Sequence, residues 1–283
     1  MLLLEVLIPA IAIASLCAAF STVLPARPMA PNDHARLFQK SVSEDGKTTV
    51  DDDEKVTILG FGSLLSERSS RMTFPDLVGF RLGRVPNYRR VFGHPTSIFF
   101  RRGIANMETK EMSSLSAEYC EGWPGFICSV FEVPKKDMME DGIPSQAYLE
   151  REEEFHIVEV AYSELENDNG PIDGSKTGLL CTSSKDDEEY LKRWGQGRFD
   201  NYYRKYGIDK IWGWSSDSGL RPCAIYLRHC YLAAKSMGEQ CFNSFLDDTY
   251  LVDRTTTVRE YLKSHPEVLE CTPPPDLAER YSG

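Results

Sequence analysis

The stretch ILGFGSLLSERSS, residues 58–70, starts as an apolar strand and breaks into Gly60-Phe61-Gly62-Ser63. Because glycine lacks a Cβ, a strand that ends on two glycines brings backbone N–H groups close to whatever lies opposite. Loops of this kind bind phosphates, carboxylates or developing oxyanions. A dinucleotide fingerprint needs a third glycine where Leu65 stands, and no Gly-Lys-Ser/Thr follows. The loop therefore favours another acidic or amide-bearing ligand.

The composition is that of an ordinary globular protein. The chain has 283 residues, of which 41% are hydrophobic, and a formal net charge of −11. This length allows one large domain or two small ones with a sizeable packed core. The negative charge and the lack of a basic cluster argue against a nucleic-acid partner. The acids concentrate in three stretches interpreted as a linker and exposed loops, residues 43–55, 164–174 and 184–190.

The N-terminal region has the composition of targeting and linker sequence. Residues 1–19 are predicted to be a signal peptide, since they contain an apolar run and end in Cys17-Ala18-Ala19, with small residues suited to cleavage. Residues 20–54 are transit-like and then acidic, and are predicted to be a disordered linker. Together they resemble a two-part plastid presequence; the alternative is secretion or the endomembrane lumen. No stable membrane span is expected after processing.

The cysteines indicate neither a disulfide framework nor a metal site. Removal of the signal leaves seven, an odd number, and no Cys-x-x-Cys pair occurs. Cys223 and Cys230 fall on one stripe of a predicted helix and are interpreted as core residues. The alternative is a hydrolase in which a cysteine nucleophile works with His94, His156 or His229.

Hydrophobic alternation predicts short strands in the first part of the chain, at residues 56–60, 77–85, 97–106, 126–133, 155–162 and 178–182. Helices are predicted afterwards, beginning near Ser184, over 222–237, and from the capping box Thr257-x-x-Glu260 to just before Pro266. This order predicts an α+β fold with a small, mostly antiparallel β-barrel and flanking helices. The domain is predicted to cover residues 55–272, with a helical extension from about residue 190 and a tail over 273–283.

A run of acids follows a short predicted helix in IPSQAYLEREEEF, residues 143–155, which Ser145 can cap. At about 100° per residue, Glu152 falls between the apolar directions of Tyr148 and Leu149. The other three acids diverge from that direction, by about a quarter turn for Glu153 and to the far side for Glu150 and Glu154. A carboxylate that faces the interior loses hydration and is suited to act as a base near neutral pH. The alternative is that Glu152 only pairs with an arginine at the domain edge.

Several segments, in this order, resemble the γ-glutamylcyclotransferase-like family: GFGSLL, VGFRLGRVPNYRRVF, GIANME, GFICSVFEVP and AYLEREEEFHIVEV. In that family a Tyr/Phe-Gly-Ser-Asn/Leu loop follows the first strand, and a Gln/Arg-Glu pair lies near the start of a later strand. The matching residues here are Phe61-Gly62-Ser63-Leu64 and Arg151-Glu152. The similarity covers residues 56–162 well and the helical remainder only loosely.

The resemblance implies a cofactor-free enzyme without a metal, whose partner is a small-molecule γ-glutamyl peptide or amine, or glutathione. The α-amino group of such a substrate attacks its own γ-carbonyl and releases 5-oxoproline. Glu152 is implied as general acid/base, or Glu153 if the helix register differs by one. Substrate binding and oxyanion stabilisation are implied for the backbone of Phe61, Gly62, Ser63 and Leu64.

The resemblance leaves a second function open, that of a catalytically inactive γ-glutamyl-binding or regulatory module with the same fold. The acids beside Glu152 favour this alternative, because the family has a glycine-containing turn where this chain has Glu153 and Glu154. Negative charge at that position repels a substrate carboxylate. The sequence does not predict the oligomeric state.

Overall fold

A computed structural model describes residues 54–140, 142–165 and 176–283. The predicted signal peptide and almost all of the predicted linker, residues 1–53, lie outside the described residues. The strands are β1 Lys55–Gly60, β2 Val78–Val85, β3 Tyr88–Pro95, β4 Glu111–Tyr119, β5 Phe126–Pro134, β6 Met139–Glu140, β7 Ile143–Pro144, β8 His156–Ala161, β9 Ser163–Glu164, β10 Thr177–Thr182, β11 Arg221–Pro222 and β12 Thr249–Leu251. The helices are α1 Glu67–Arg71, α2 Ser97–Arg101, α3 Lys135–Met138, α4 Gln146–Arg151, α5 Glu188–Tyr202, α6 Ala224–Ser236, α7 Glu239–Asp247 and α8 Val258–Ser264.

One large mixed sheet forms the centre of the described part, in the order β12-β3-β4-β10-β1-β5-β2-β9, with β11 beside β4 and β8 beside β10. The α+β class is confirmed. The predicted β-barrel is wrong, because within the described residues the end strands β12 and β9 do not pair with each other. β3 and β4 extend the sheet beyond the predicted strands, and β10 joins it by parallel pairing with both β1 and β4.

The position of β10 decides where the loop after β1 lies. β1 runs parallel to β10, with Ile58 opposite Leu179. β8 runs antiparallel to β10, with His156 opposite Thr182. The end of β1 and the start of β8 therefore meet at the same edge of the sheet, two strand spacings or about 10 Å apart.

The main core lies between the sheet and the later helices. Helix α6 contributes a fully buried stripe that includes Leu227, Cys230 and Ala233, and Cys223 just before the helix is also fully buried. The interpretation of Cys223 and Cys230 as core residues is confirmed. The capping box at Thr257 and Glu260 is confirmed as well, since each side chain bonds the backbone N–H of the other and α8 begins there.

The predicted strand over 97–106 is wrong. Its first half is helix α2, followed by a turn, and α2 buries Phe99 and Phe100. A short apolar run such as Ile98-Phe99-Phe100 fits a strand and a buried helix equally well, so periodicity alone does not separate them.

The last described segment, residues 273–283, packs on α6. Leu277 and Tyr281 are buried, and the Tyr281 ring lies edge-on to His229 with ring centroids 5.7 Å apart. A short 3-10 helix, Pro275–Leu277, starts this segment. None of the described helices is long and apolar enough to cross a membrane.

Candidate active site

A cavity of about 550 Å³ opens at the sheet edge where β1 ends and β8 begins. The loop after β1 and the acids before β8 both line it. The lining residues that matter below are Phe61, Gly62, Ser63, Leu64, Ser97, Arg101, Tyr148, Glu152, Glu153, Glu154, Cys181, Arg198, Tyr226, His229 and Arg280. Residues predicted from two separate stretches of sequence thus share one cavity.

The loop after β1 is fixed through its carbonyl oxygens. The Leu64 carbonyl accepts hydrogen bonds from the hydroxyls of Ser70 and Ser129, each at 2.7 Å, and the Gly62 carbonyl accepts one from the Leu65 N–H at 3.0 Å. In contrast, no described group accepts a hydrogen bond from the N–H of Gly62 or Leu64. The Ser63 backbone bonds the side chains of Tyr226 and His229. Internal bonds therefore hold the loop and leave the N–H groups of Gly62 and Leu64 for a ligand.

Close packing explains the two glycines as well. A Cβ on Gly62 would lie 2.6 Å from the Tyr226 hydroxyl, and one on Gly60 would lie 2.8 Å from the Leu64 carbonyl oxygen. Both distances are far shorter than van der Waals contact. Glycine at position 62 thus allows Tyr226, which also lines the cavity, to approach the loop backbone.

Glu152 lies at the point where helix α4 ends. Its φ and ψ of −104° and 44° are not helical, and its N–H bonds the Tyr148 carbonyl at 3.0 Å. The side chain is 15% exposed and its Oε1 accepts a hydrogen bond from Arg151 Nε at 2.8 Å. Burial, and then neighbouring groups that include Glu152, raise the pKa of the Tyr148 hydroxyl and of the Cys181 thiol. The Glu152 carboxylate therefore lies against the wall of the cavity beside these two side chains.

Glu153 is buried and engaged through both oxygens. Ser97 Oγ donates to Oε1 at 2.5 Å, and Arg198 donates to Oε2 from Nε at 3.0 Å and from Nη2 at 2.7 Å. Protein donors thus occupy both oxygens of this carboxylate. The carboxylate is thereby suited to position Ser97 and Arg198 in the cavity wall.

Glu154 is buried, which corrects the prediction that it points away. The helix ends at Arg151, so the helical rotation used for the prediction does not reach residue 154. One oxygen, Oε1, accepts hydrogen bonds from Thr96 Oγ1 at 2.7 Å, from the Ser97 N–H at 3.1 Å and from the Tyr203 hydroxyl at 2.5 Å. Glu154 thus caps helix α2, whose own N-cap side chain makes no such bond. Burial, and then the charge of Glu153, raise the pKa of Glu154 to about 7.

The raised pKa of Glu154 predicts a pH-dependent stability. The folded state binds this proton more tightly than the unfolded chain, so the stabilisation is full below about pH 4.5 and is lost as pH rises through about 7. In Glu154→Gln this dependence is removed. Urea titrations give the free energy of unfolding of both proteins at each pH. We expect the difference, variant minus wild type, to increase by about 3 kcal/mol between pH 4.5 and pH 8.

Glu150→Gln is the matched control for this prediction, because Glu150 belongs to the same acidic run but is exposed. Its curve of stability against pH should run parallel to that of wild type. A parallel curve for Glu154→Gln would contradict the raised pKa.

The aromatic segment after residue 190 fixes the turn that carries these acids. The indole N–H groups of Trp194 and Trp212 donate to the backbone carbonyls of Glu153 and Glu154, at 3.0 and 3.1 Å. Their rings belong to a second buried cluster with Tyr203. The rings therefore hold the acidic turn in addition to packing the helical part of the chain.

The cysteine-nucleophile hypothesis finds little support in the cavity. Cys181 lines it, but burial raises the pKa of this thiol and its Sγ lies 3.9 Å from the Tyr148 hydroxyl rather than beside a histidine. Cys230 is fully buried, and burial raises the pKa of its thiol to about 12. Burial lowers the pKa of His229 to about 4, so its ring is neutral. The His229 Nδ1 accepts a hydrogen bond from the Gly283 N–H at 3.1 Å, and Nε2 lies 3.3 Å from Ser69 Oγ.

Among the described residues no three His, Cys, Asp or Glu side chains are placed to hold a metal ion.

Sequence reasoning missed several cavity residues that come from other parts of the chain. Ser97 fell in the segment predicted as a strand, and Arg280 in the predicted tail. Arg198 and Tyr226 lie on helices α5 and α6, far along the chain from the loop and the acids. No local pattern marks these residues, since only the tertiary fold brings them to the cavity.

No protein-family model and no curated protein matches the sequence. Among solved structures, a γ-glutamyl cyclotransferase is similar with 13% identity and a TM-score of 0.34, over 46% of this chain and 68% of that one. An uncharacterized protein from Homo sapiens is similar with 15% identity and a TM-score of 0.34, over 47% of this chain and 68% of that one. A γ-glutamyl cyclotransferase specific to glutathione from yeast is similar with 13% identity and a TM-score of 0.40, over 77% and 96%.

Proposed function

We propose that this protein releases 5-oxoproline from a γ-glutamyl peptide or amine by intramolecular attack of the α-amino group on the γ-carbonyl. One observation carries the proposal: the loop 61–64 and Glu152 line the same cavity, although about 90 residues separate them in sequence. A molecule bound in the cavity would therefore contact both a proton acceptor, Glu152, and the backbone donors of the loop. The sequence resemblance described above implies the same reaction.

Glu152 has the role of general acid/base in this proposal. An α-ammonium group cannot attack a carbonyl, so a carboxylate must first accept its proton. The same carboxyl can later protonate the leaving nitrogen. Glu152 is suited to both steps because it is only 15% exposed, lines the cavity, and accepts hydrogen bonds from the side chains of Arg151 and Cys181.

The loop has the role of stabilising negative charge. Ring closure moves charge onto the γ-carbonyl oxygen, and the N–H groups of Gly62 and Leu64 have no described acceptor. Donors that are already oriented stabilise such an oxyanion at no cost of reorganisation, and each contributes about 3 kcal/mol of barrier lowering. The attacker and the target belong to one molecule, so the cavity mainly has to hold the substrate in a bent shape.

The experiment is a panel of γ-glutamyl donors incubated with purified protein, with 5-oxoproline and the released amine or peptide measured by mass spectrometry. We expect release from at least one donor, in equal amounts of the two products. Binding of γ-glutamyl compounds in calorimetry without any release would instead support the inactive binding module. Absence of both binding and release would reject the proposed function.

A further inference from the structure

The charges that line the cavity are not evenly paired. Glu152 pairs with Arg151, and Glu153 pairs with Arg198. Two further arginines of the lining, Arg101 and Arg280, form no ion pair with any described carboxylate. Glu150 also lines the cavity, as an exposed acid that accepts a hydrogen bond from Gln146. Burial raises the pKa of Glu154 to about 7, although the three hydrogen bonds that it accepts favour its charged form.

The two unpaired arginines belong to the solvent-exposed residues of the cavity lining. Both residues are exposed, whereas Glu152 is largely covered. Arg101 is the last residue of helix α2, and its guanidinium lies 4.7 Å from the centre of the Tyr202 ring. This stacking orients the guanidinium without using its hydrogen-bond donors.

Arg280 comes from the segment 273–283, which the buried Leu277 and Tyr281 fix against α6. Arg280 lies close enough to His229 for its charge to act on that ring. Burial is the largest cause that lowers the pKa of His229, and the positive charge of Arg280 is the second. His229 lines the cavity. The segment therefore brings a cation to the cavity from a part of the chain far from the loop and from the acidic turn.

We propose that Arg101 and Arg280 bind a carboxylate on the leaving group, so that the preferred substrate is a γ-glutamyl peptide with a free C-terminal carboxylate and not a γ-glutamyl amine. This inference rests on the proposed function. Ring closure takes place between Glu152 and the loop, and the leaving group then extends toward the exposed side of the cavity, where the two arginines lie. Guanidinium groups bind carboxylates through paired, charge-assisted hydrogen bonds.

The experiment compares two substrates that differ in one charge, γ-glutamyl-alanyl-glycine and its C-terminal amide. For wild type we expect kcat/KM to be roughly tenfold higher for the acid than for the amide. The difference should arise from a lower KM for the acid, with similar kcat values. Added salt should reduce this preference. In Arg101→Gln and in Arg280→Gln the ratio of acid to amide should fall by roughly three- to tenfold. Arg280→Lys should retain most of the preference, since the positive charge remains.

Arg102→Gln is the matched control, because Arg102 is the exposed neighbour of Arg101 and does not line the cavity. Its ratio should equal that of wild type. Equal kcat/KM values for the acid and the amide in wild type, or a loss shared by both substrates in the Arg101 and Arg280 variants, would overturn the inference while the proposed function stands. If neither substrate nor any donor of the panel yields 5-oxoproline, the proposed function itself fails.

Discussion

Glu152→Gln is expected to abolish most of the release of 5-oxoproline, lowering kcat by roughly a hundred- to ten-thousandfold. Glutamine has the shape of glutamate but cannot accept the proton of the α-ammonium group. The fold should be retained, since the side chain lies at the wall of the cavity and one donor, Arg151, can still bond the amide oxygen. The measurement is steady-state turnover of the best donor, with thermal unfolding recorded for both proteins.

Glu153→Gln distinguishes the assigned acid from its neighbour. The Glu153 carboxylate bonds Ser97 and Arg198. Its loss should lower the stability of the fold, and it should raise KM by a larger factor than it lowers kcat. If turnover falls by orders of magnitude in kcat for Glu153→Gln and is retained in Glu152→Gln, the general acid/base is Glu153 and the assignment of Glu152 is wrong.

Gly62→Ala is expected to have the second largest effect, a loss of roughly a hundredfold in kcat/KM. The added methyl group meets the Tyr226 hydroxyl at 2.6 Å. The Tyr226 ring packs against Phe92 and Phe99 and has little room to move, so the loop must shift instead. A displaced loop no longer directs its N–H groups at the γ-carbonyl oxygen. Turnover and thermal unfolding of the variant test this prediction.

Tyr226→Phe in the Gly62→Ala background removes the atom that the new methyl group meets. We expect the double variant to recover part of the lost activity, relative to the single variant Tyr226→Phe as its reference. Additive losses in the two changes, with no recovery, would show that the close approach of Tyr226 is not the reason for glycine at position 62.

The sequence was informative where local patterns decide the structure. The strand that ends at Gly60, the helix capped by Ser145 and the capping box at Thr257 were all predicted close to their observed bounds. Each depends on residues within one turn or one strand of each other. The placement of Glu152 at the cavity also followed from local geometry, since it directly follows α4.

Long-range contacts decided what the sequence did not predict. Residues 97–101 form a helix whose first turn is capped by Glu154, more than fifty residues away, through the N–H of Ser97. Glu154 is buried there, on the side opposite to the one that the helical projection predicts. The sheet is open because, within the described residues, its end strands β12 and β9 do not pair, and β10 enters it by parallel pairing with β1 and β4. Parallel pairing between strands that are distant in sequence does not change the local hydrophobic pattern of either strand.

The central claim is that the bound substrate closes on itself between Glu152 and the loop 61–64. The most direct measurement is the product formed from a γ-glutamyl peptide in water enriched in heavy oxygen. We predict 5-oxoproline that contains no heavy oxygen, together with an equal amount of free peptide, because no water enters the reaction. Glutamate that carries heavy oxygen would show hydrolysis instead and would contradict the account.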